Sequence, residues 1–212
     1  MSSSAHDPRL KRVLNTGSGP YDAKKLHPAF HKQAWTEVRL DIDVRVKPDL
    51  VGSVTDMRSF AADASFDAIW SSHNVEHLHT HEVGPAFAEF SRILRPDGFA
   101  LITCPDLAAI ARMIVEGRAE AVAYVSPAGP IRALDMLFGH SASIAAGNPF
   151  MAHHTGFTTE RIATVALDAG FAEVRVGRGR FHDLWALALM PEASASELRS
   201  LFGDTDQHML LA

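Results

Sequence analysis

The feature that most constrains this chain is a short apolar run that ends in two glycines one residue apart. The run reads Val13-Leu14-Asn15-Thr16-Gly17-Ser18-Gly19-Pro20. Because neither glycine carries a Cβ, the backbone can turn sharply there and bring its N–H groups against a ligand. The pattern predicts a strand that runs directly into a turn suited to binding a nucleotide-like molecule.

The turn departs from the glycine motif of dinucleotide-binding folds, which reads Gly-x-Gly-x-x-Gly between a strand and a helix. Asp22 occupies the position of the third glycine, and Pro20 directly follows the second. The helix N-terminus that would bind a pyrophosphate is therefore not predicted here. On these eight residues alone, an ordinary strand-to-loop turn is an equal alternative.

Strand-like and helix-like segments alternate along the rest of the chain. Strands are predicted at 37–43, 49–57, 66–70, 99–104, 173–177 and 183–190, and helices at 83–94, 107–116 and 158–169. This alternation is typical of an α/β, Rossmann-like, doubly wound fold with a mostly parallel seven-stranded sheet and helices on both faces. The connection 178–182 is too short for a crossover, so the final strand is predicted to be antiparallel. The segment 21–35, interrupted by Pro28, is predicted to be a short irregular helix.

The length of 212 residues predicts one domain over 1–212, with a weakly amphipathic tail at 191–212. Between residues 118 and 156 the apolar residues follow neither helical nor strand spacing, and glycine and proline recur. Long irregular connections in compact domains commonly act as lids or binding loops, so this segment is interpreted as a small cap over the substrate. An insertion that only packs, or that makes a homodimer contact, is the alternative.

The overall composition of the chain limits the classes of partner that it is expected to bind. The net charge is −5 and Lys and Arg are scattered, so nucleic acid is not an expected partner. The single cysteine, Cys104, lies in an apolar strand and is expected to be a core residue. Residues 2–8 lack the features of a signal peptide, and no apolar stretch approaches the roughly 20 residues of a membrane span. A cytoplasmic protein without a membrane partner is expected.

Asp41 stands at the end of the second predicted strand, 22 residues beyond Gly19. In a βαβ unit, an acid about 20 residues past the glycine turn can accept hydrogen bonds from both hydroxyls of a ribose. A solvated carboxylate at a strand end is the alternative. The spacing favours ribose binding.

A polar run follows the fourth predicted strand. Phe66-Asp67-Ala68-Ile69-Trp70 opens into Ser71-Ser72-His73-Asn74-Val75-Glu76-His77. Open α/β sheets bind ligands at the carboxyl ends of their strands. We therefore expect this run to lie beside the ligand.

Taken in order, these motifs resemble those of the class I S-adenosylmethionine-dependent methyltransferases. The likeness includes the glycine turn, Asp41 with Ile42, the segment 52–57, the segment 66–78 and the turn Arg95-Pro96-Asp97-Gly98. It implies S-adenosyl-L-methionine as cofactor, with the glycine turn against the methionine part, Asp41 on the ribose and Ile42 beside the adenine. The cofactor-binding residues implied are Asn15, Gly17, Ser18, Gly19, Asp41, Ile42, Ser53, Val54, Asp56, Ser71, Ser72 and His73.

Two positions depart from the family pattern. Asn15 stands where the family usually has an acid. Ser53 replaces the usual adenine-binding aspartate, so that contact would fall to the backbone at Val54 or to Asp56.

The resemblance implies methyl transfer to an O or N atom of a small molecule. Because a sulfonium carries its own leaving group, the protein mainly has to align the reacting atoms. A hydroxyl or amine acceptor would also use a base, for which histidine is suited. His73 is the first candidate by position, followed by His77 and by His154 in the cap. For each, a surface or structurally satisfied histidine is the alternative.

Two other hypotheses stay open. His73-Asn74-Val75-Glu76-His77 spells H-x-x-E-H, and on a helix His73, Glu76 and His77 would share one face and could bind a divalent metal. A metal-assisted methyltransferase is therefore the second hypothesis, although the primary prediction assigns no metal. A non-catalytic cofactor-binding protein of the same fold is the third, favoured by Asn15 and Ser53.

Overall fold

The computed structural model describes residues 10–32 and 34–212, so the expectation about residues 2–8 lies outside the described part. The strands are β1 Lys11–Thr16, β2 Trp35–Asp41, β3 Leu50–Val51, β4 Phe66–Ser72, β5 Leu94–Pro105, β6 Val122–Ser126, β7 Gly129–Arg132, β8 Glu173–Arg178 and β9 Asp183–Leu189. The α-helices are α1 Val83–Ile93, α2 Leu107–Val115, α3 Ala133–Phe138, α4 Ser141–Ala145, α5 Thr159–Asp168 and α6 Ala195–Phe202. Single-turn or short 3-10 helices lie at Ala23–Lys25, Pro28–Phe30, Val44–Val46, Val75–His77, Pro149–Met151 and Asp206–Leu211.

Seven of these strands form one sheet in the order β3-β2-β1-β4-β5-β9-β8. Every pair from β3 to β5 is parallel, whereas β9 runs antiparallel to both β5 and β8. The loop between β8 and β9 has only four residues, which is too few for a crossover to a parallel strand. The predicted Rossmann-like sheet with an antiparallel final strand is confirmed.

The central strands are buried on both faces, and successive side chains point to opposite cores. Leu14 and Ile69 pack with α1 and α5 in one cluster, whereas Val13 and Ala68 pack on the other face with Phe30 and the C-terminal helices. This two-sided burial explains why the strands read as continuous apolar runs. Cys104 is fully buried in the first cluster, as expected for a core residue.

Three local predictions are revised by tertiary contacts. The strand β5 begins at Leu94, directly after α1, rather than at Phe99 after a free turn. Residues 95–98 bulge from the ladder but are held by backbone bonds from Met190 to Gly98 and from Glu192 to Pro96. Within 49–57, predicted to be a short strand that runs into a polar turn, the strand is limited to Leu50–Val51. The segment 21–35 contains two 3-10 turns instead of one helix.

The segment 118–156 has more regular structure than its sequence indicates. It contains the antiparallel hairpin β6–β7 followed by α3, α4 and a 3-10 turn. Ile131 and Met136 of this segment pack with Ile110 and Met113 of α2 in a third apolar cluster. The elements are three to six residues long, too short for a periodic spacing of apolar residues to be recognised in the sequence.

None of the helices in the described part of the chain has the length and apolar character needed to cross a membrane.

Candidate active site

The turn after β1 and the end of β2 meet through a direct hydrogen bond. The backbone N–H of Gly19 donates to Asp41 Oδ2 across 2.8 Å, and the N–H of Asp43 donates to Asp41 Oδ1 across 2.8 Å. Gly17 and Gly19 have φ values of 63° and 60°, which glycine adopts without strain. A Cβ on Gly17 would collide with the side-chain amide of Asn74, so the turn also packs against the residues that follow β4.

The side chain of Arg39 stabilises this turn through hydrogen bonds to backbone carbonyl oxygens. Its guanidinium donates to the carbonyl oxygens of Gly19 at 2.7 Å, Val46 at 3.1 Å and Lys47 at 3.0 Å. The residue is buried at 9% exposure, so its charge is satisfied by backbone carbonyls rather than by water. Arg39 was not selected from the sequence, because nothing in the strand pattern distinguishes a bracing arginine from a solvated one.

The next part of the site lies beyond β3. Ser53 and Val54 line the same cavity as Asp41 and Ile42. The hydroxyl of Ser53 bonds Thr55 Oγ1 at 2.8 Å and accepts from the Thr55 N–H, which closes a tight local turn. Asp56 does not line the cavity: it is exposed and pairs with Arg58 at 3.6 Å.

At the end of β4, Ser72, His73 and Asn74 line the cavity, whereas Ser71 is fully buried behind it. His73 has a φ of 48°, and its N–H donates to Thr103 O at 2.9 Å. The left-handed backbone conformation of His73 ends the strand, and the next residue, Asn74, packs against Gly17. Asn15, at the end of β1, donates to Glu37 Oε1 at 2.6 Å and also faces the cavity.

These residues share one cavity of about 1110 Å³. It extends from the glycine turn and Asp41 past β4 to the segment 118–156, which contributes Tyr124, Asp135 and Met136 among others. All the site residues selected from the sequence line this cavity except Asp56 and Ser71.

Glu76 is the most deeply buried acid of the site, at 1% exposure. Its Oε1 lies 3.2 Å from His73 Nδ1, and its Oε2 is buried without a hydrogen-bond partner among the described residues. Burial raises the pKa of Glu76, but the hydrogen bond and charge of His73 and the charges of His77 and His153 outweigh burial, so the pKa is lowered. Burial lowers the pKa of His73, but Glu76, followed by Asp183, more than reverses this and raises it above its usual 6.5.

The predicted metal face of His73, Glu76 and His77 does not form as such. Residues 75–77 make a single 3-10 turn that His73 precedes, so the three side chains do not stack as they would on an α-helix. Among the residues that the structure describes, the acid and histidine group close enough to hold one ion is Glu76, His77 and His153, with one ligand atom from each within 4.8 Å of the others.

The two adjacent histidines of the cap lie in different surroundings. His153 packs against His77 with ring centroids 4.8 Å apart, and burial first, then the charge of His77, lowers its pKa despite Glu76. His154, the one selected from the sequence, is exposed and stacks on His79 at 4.1 Å. Sequence alone could not show which of two neighbouring histidines faces the buried acid.

A second, smaller cavity of about 270 Å³ adjoins the first through Glu76, His153 and His154. Its remaining wall is largely apolar: Pro105, Leu107, Ile110, Met136, Leu137, Phe138, Thr155 and Gly156. Asp183 also lines the large cavity, where it accepts from the indole N–H of Trp185 at 2.5 Å and from the Phe181 N–H at 2.9 Å. These residues were not selected from the sequence, because their strand and loop carry no recognisable motif.

Comparison with known proteins places these features in a family context. A family model described as a methyltransferase domain matches residues 22–102, from the segment after the glycine turn into β5. No curated protein sequence matches the chain.

Solved structures share the fold at low sequence identity. A SAM-dependent methyltransferase from Archaeoglobus fulgidus is 12% identical with a TM-score of 0.55, over 85% of this chain and 86% of that one. The 1,6-didemethyltoxoflavin-N1-methyltransferase of Burkholderia thailandensis, bound to 1,6-didemethyltoxoflavin and S-adenosylhomocysteine, is 19% identical with a TM-score of 0.53, over 87% and 73%. A possible histamine N-methyltransferase from Thermotoga maritima is 14% identical with a TM-score of 0.55, over 84% and 82%.

Proposed function

We infer that this chain is a class I S-adenosylmethionine-dependent methyltransferase, since a methyltransferase-domain model matches residues 22–102 and the fold is shared with such enzymes. On that premise we propose that it methylates an O or N atom of a small-molecule acceptor. The observation that carries the proposal is the continuity of the site. One cavity extends from the glycine turn and Asp41 to the imidazoles of the cap, where a second, mostly apolar cavity joins it.

The first end of the large cavity fits the cofactor. The side-chain-free turn at Gly17 and Gly19 leaves room for close approach of a ligand, and a Cβ at Gly17 would fill space already taken by Asn74. Asp41 uses one lone pair of each oxygen on backbone N–H groups and retains acceptor capacity for the two ribose hydroxyls. We assign Ile42, Ser53 and Val54 to the adenine, and Asn15, Ser18, Ser72 and His73 to the remainder of the cofactor.

The second end fits a small acceptor. Its cavity of about 270 Å³ is bounded mainly by aliphatic and aromatic side chains, with Glu76 and two histidines as polar groups. Pockets for small molecules typically combine an apolar wall with a few polar groups that orient the ligand. The Burkholderia protein is named as the N1-methyltransferase of 1,6-didemethyltoxoflavin and the Thermotoga protein as a possible histamine N-methyltransferase, which supports a small acceptor.

Methyl transfer from a sulfonium requires little from the protein beyond alignment of the reacting atoms. S-adenosylmethionine, when bound, supplies a methyl group on a sulfonium with a neutral thioether as leaving group. The protein would hold the acceptor in the cap cavity in line with that methyl group, which gains rate by proximity. We propose His73 as the base that receives the acceptor's proton, because it lies between the two ends and its Nδ1 is oriented by Glu76. His77 and His154 are the remaining candidates selected from the sequence.

The enzyme is proposed to act in the cytoplasm, in keeping with a single, buried cysteine.

The proposal is tested in two steps. Calorimetric titration with S-adenosylmethionine should give saturable binding with one site per chain. Incubation with small phenols, catechols, primary amines and heteroaromatic amines should then release S-adenosylhomocysteine in the presence of one acceptor class. Cofactor binding without turnover on any small acceptor would favour the non-catalytic alternative, and absence of cofactor binding would contradict the assignment altogether.

A further inference from the structure

We propose that Glu76, His77 and His153 bind a divalent transition-metal ion of the Zn²⁺ type where the cofactor cavity meets the cap cavity. The three residues come from two distant parts of the chain, the 3-10 turn after β4 and the end of the cap. One ligand atom of each lies within 4.8 Å of the others, a separation that an ion with bonds of about 2.0–2.2 Å can bridge with small side-chain adjustments.

Both histidines are oriented as metal ligands. His77 Nδ1 lies 2.9 Å from Ala152 O, and His153 Nδ1 lies 2.9 Å from Met136 O. A carbonyl oxygen can only accept, so each Nδ1 carries the hydrogen and each neutral ring leaves its Nε2 lone pair free. Metal-binding histidines usually donate their second ring nitrogen to a carbonyl or carboxylate in this way.

Glu76 supplies an independent observation. Its side chain is buried, Oε1 contacts His73 Nδ1, and Oε2 has no hydrogen-bond partner among the described residues. A buried carboxylate oxygen without a donor is costly, and native proteins seldom leave one unpaired. A cation held by Oε2 and the two Nε2 atoms would satisfy that oxygen.

The ligand types indicate the class of metal. Two imidazoles and one carboxylate suit Zn²⁺ and neighbouring first-row ions, whereas Mg²⁺ and Ca²⁺ prefer oxygen ligands. A three-residue set also leaves at least one coordination position open, as in catalytic zinc sites. Glu76 and His153 line both cavities, so an exogenous ligand can reach that position.

The role of the ion rests on the proposed function. A hydroxyl or amine of the acceptor would bind at the open position, and the positive charge would lower its pKa. The O–H or N–H bond then breaks with transfer of the proton to His73, the proposed base, and the electron pair stays on the acceptor atom.

A nearby imidazole cluster provides the control. His79 stacks on His154 at 4.1 Å and on His81 at 5.8 Å, and all three are exposed. Such a cluster can collect zinc from buffer, so metal content alone does not identify the site. Substitutions in the two clusters show whether zinc binds at Glu76 and His153 or at the exposed histidines.

The experiment uses the full chain without a histidine tag, loaded with ZnCl₂, dialysed and measured by elemental analysis, with affinity from competition against a chromophoric chelator. The parent protein should retain one Zn²⁺ per chain. Glu76→Gln and His153→Ala should each weaken zinc binding by about 100-fold, whereas His79→Ala and His154→Ala should retain it. Co²⁺ substitution should give visible bands that change in Glu76→Gln and not in His154→Ala.

Opposite results would overturn the site. Retention of zinc in both Glu76→Gln and His153→Ala, or its loss in His154→Ala, would assign the metal to the exposed cluster or to none. Thermal melting of each variant shows whether it is folded, and Glu76→Gln preserves the side-chain shape. Calorimetry with S-adenosylmethionine on the same samples keeps the two proposals apart, since cofactor binding does not require the metal ligands.

Discussion

The Gly19 N–H donates to Asp41 Oδ2 across 2.8 Å, so the turn after β1 and the acid at the end of β2 form one unit. The second oxygen of Asp41 accepts from the Asp43 N–H and thereby orders the loop that follows. Asp41 is thus both the proposed ribose ligand and a residue that stabilises the two adjoining loops. Substitutions there should change cofactor affinity and loop order together.

Asp41→Ala should weaken S-adenosylmethionine binding by about 100-fold or more, because two hydrogen bonds to a charged group are lost, each worth about 1.5–3 kcal/mol. Calorimetry measures the affinity. Asp56→Ala is the matched control, since Asp56 is exposed outside the cavity and its loss should leave the affinity within about twofold, the usual range for surface changes. Equal affinities in the parent and Asp41→Ala would remove Asp41 from the cofactor site.

Arg39→Met should lower both stability and cofactor affinity. The substitution leaves the carbonyl groups of Gly19, Val46 and Lys47 without their buried donor, at a cost of about 2–3 kcal/mol in the free energy of unfolding. Urea denaturation and calorimetry measure the two effects. Arg45→Met is the control, because Arg45 is largely exposed and pairs with Asp43, and its stability should stay close to that of the parent. Comparable losses in both variants would argue against a special role for Arg39.

Gly17→Ala should abolish cofactor binding while Gly84→Ala should not. At Gly17 the added methyl group meets the Asn74 amide, and the backbone φ of 63° is strained for alanine by about 1–2 kcal/mol. A Cβ on Gly84 meets nothing within 4 Å. Adding Asn74→Ala to Gly17→Ala should restore part of the stability but not all, since the backbone strain persists. Complete restoration, measured by denaturation, would show that the strain contributes nothing.

His27 should make the fold less stable in mild acid. Its Nδ1 accepts from the Ala29 N–H and its Nε2 contacts Gln207 Oε1, so the neutral ring is favoured, and burial lowers the pKa despite the bond to Gln207. In the unfolded chain the pKa returns to about 6.5, so the unfolded state binds the proton first. The stabilisation is complete above pH 6.5 and declines as pH falls below it toward the folded-state pKa.

Denaturation of the parent and His27→Gln between about pH 7.5 and about pH 5.5 measures this effect. The parent should lose more stability over that interval than the variant, which has no titrating group at position 27. His81→Gln, at an exposed site that is not among the groups shifting the His27 pKa, should follow the parent. An identical pH dependence in parent and His27→Gln would show that other groups account for the acid sensitivity.

The sequence by itself determined the sheet and the end of the cavity that is proposed to bind the cofactor. Glycines without Cβ, an acid 22 residues later and apolar runs that end in polar residues are local patterns, and parallel strands bring their carboxyl ends to one edge by construction. The order of the strands along the chain is therefore enough to place Gly19, Asp41 and His73 together at that edge.

Tertiary structure alone decided the rest. His73 contacts Glu76, but the group close enough to hold an ion is completed by His153. This follows from the cap, which packs on α2 and brings residue 153 back beside the 3-10 turn. Asp56 stays outside the cavity although its motif places it near, since the turn at Ser53 and Thr55 directs the chain away. Which side chains meet across distant segments depends on packing and on backbone turns of one or two residues, and neither leaves a periodic trace in the sequence.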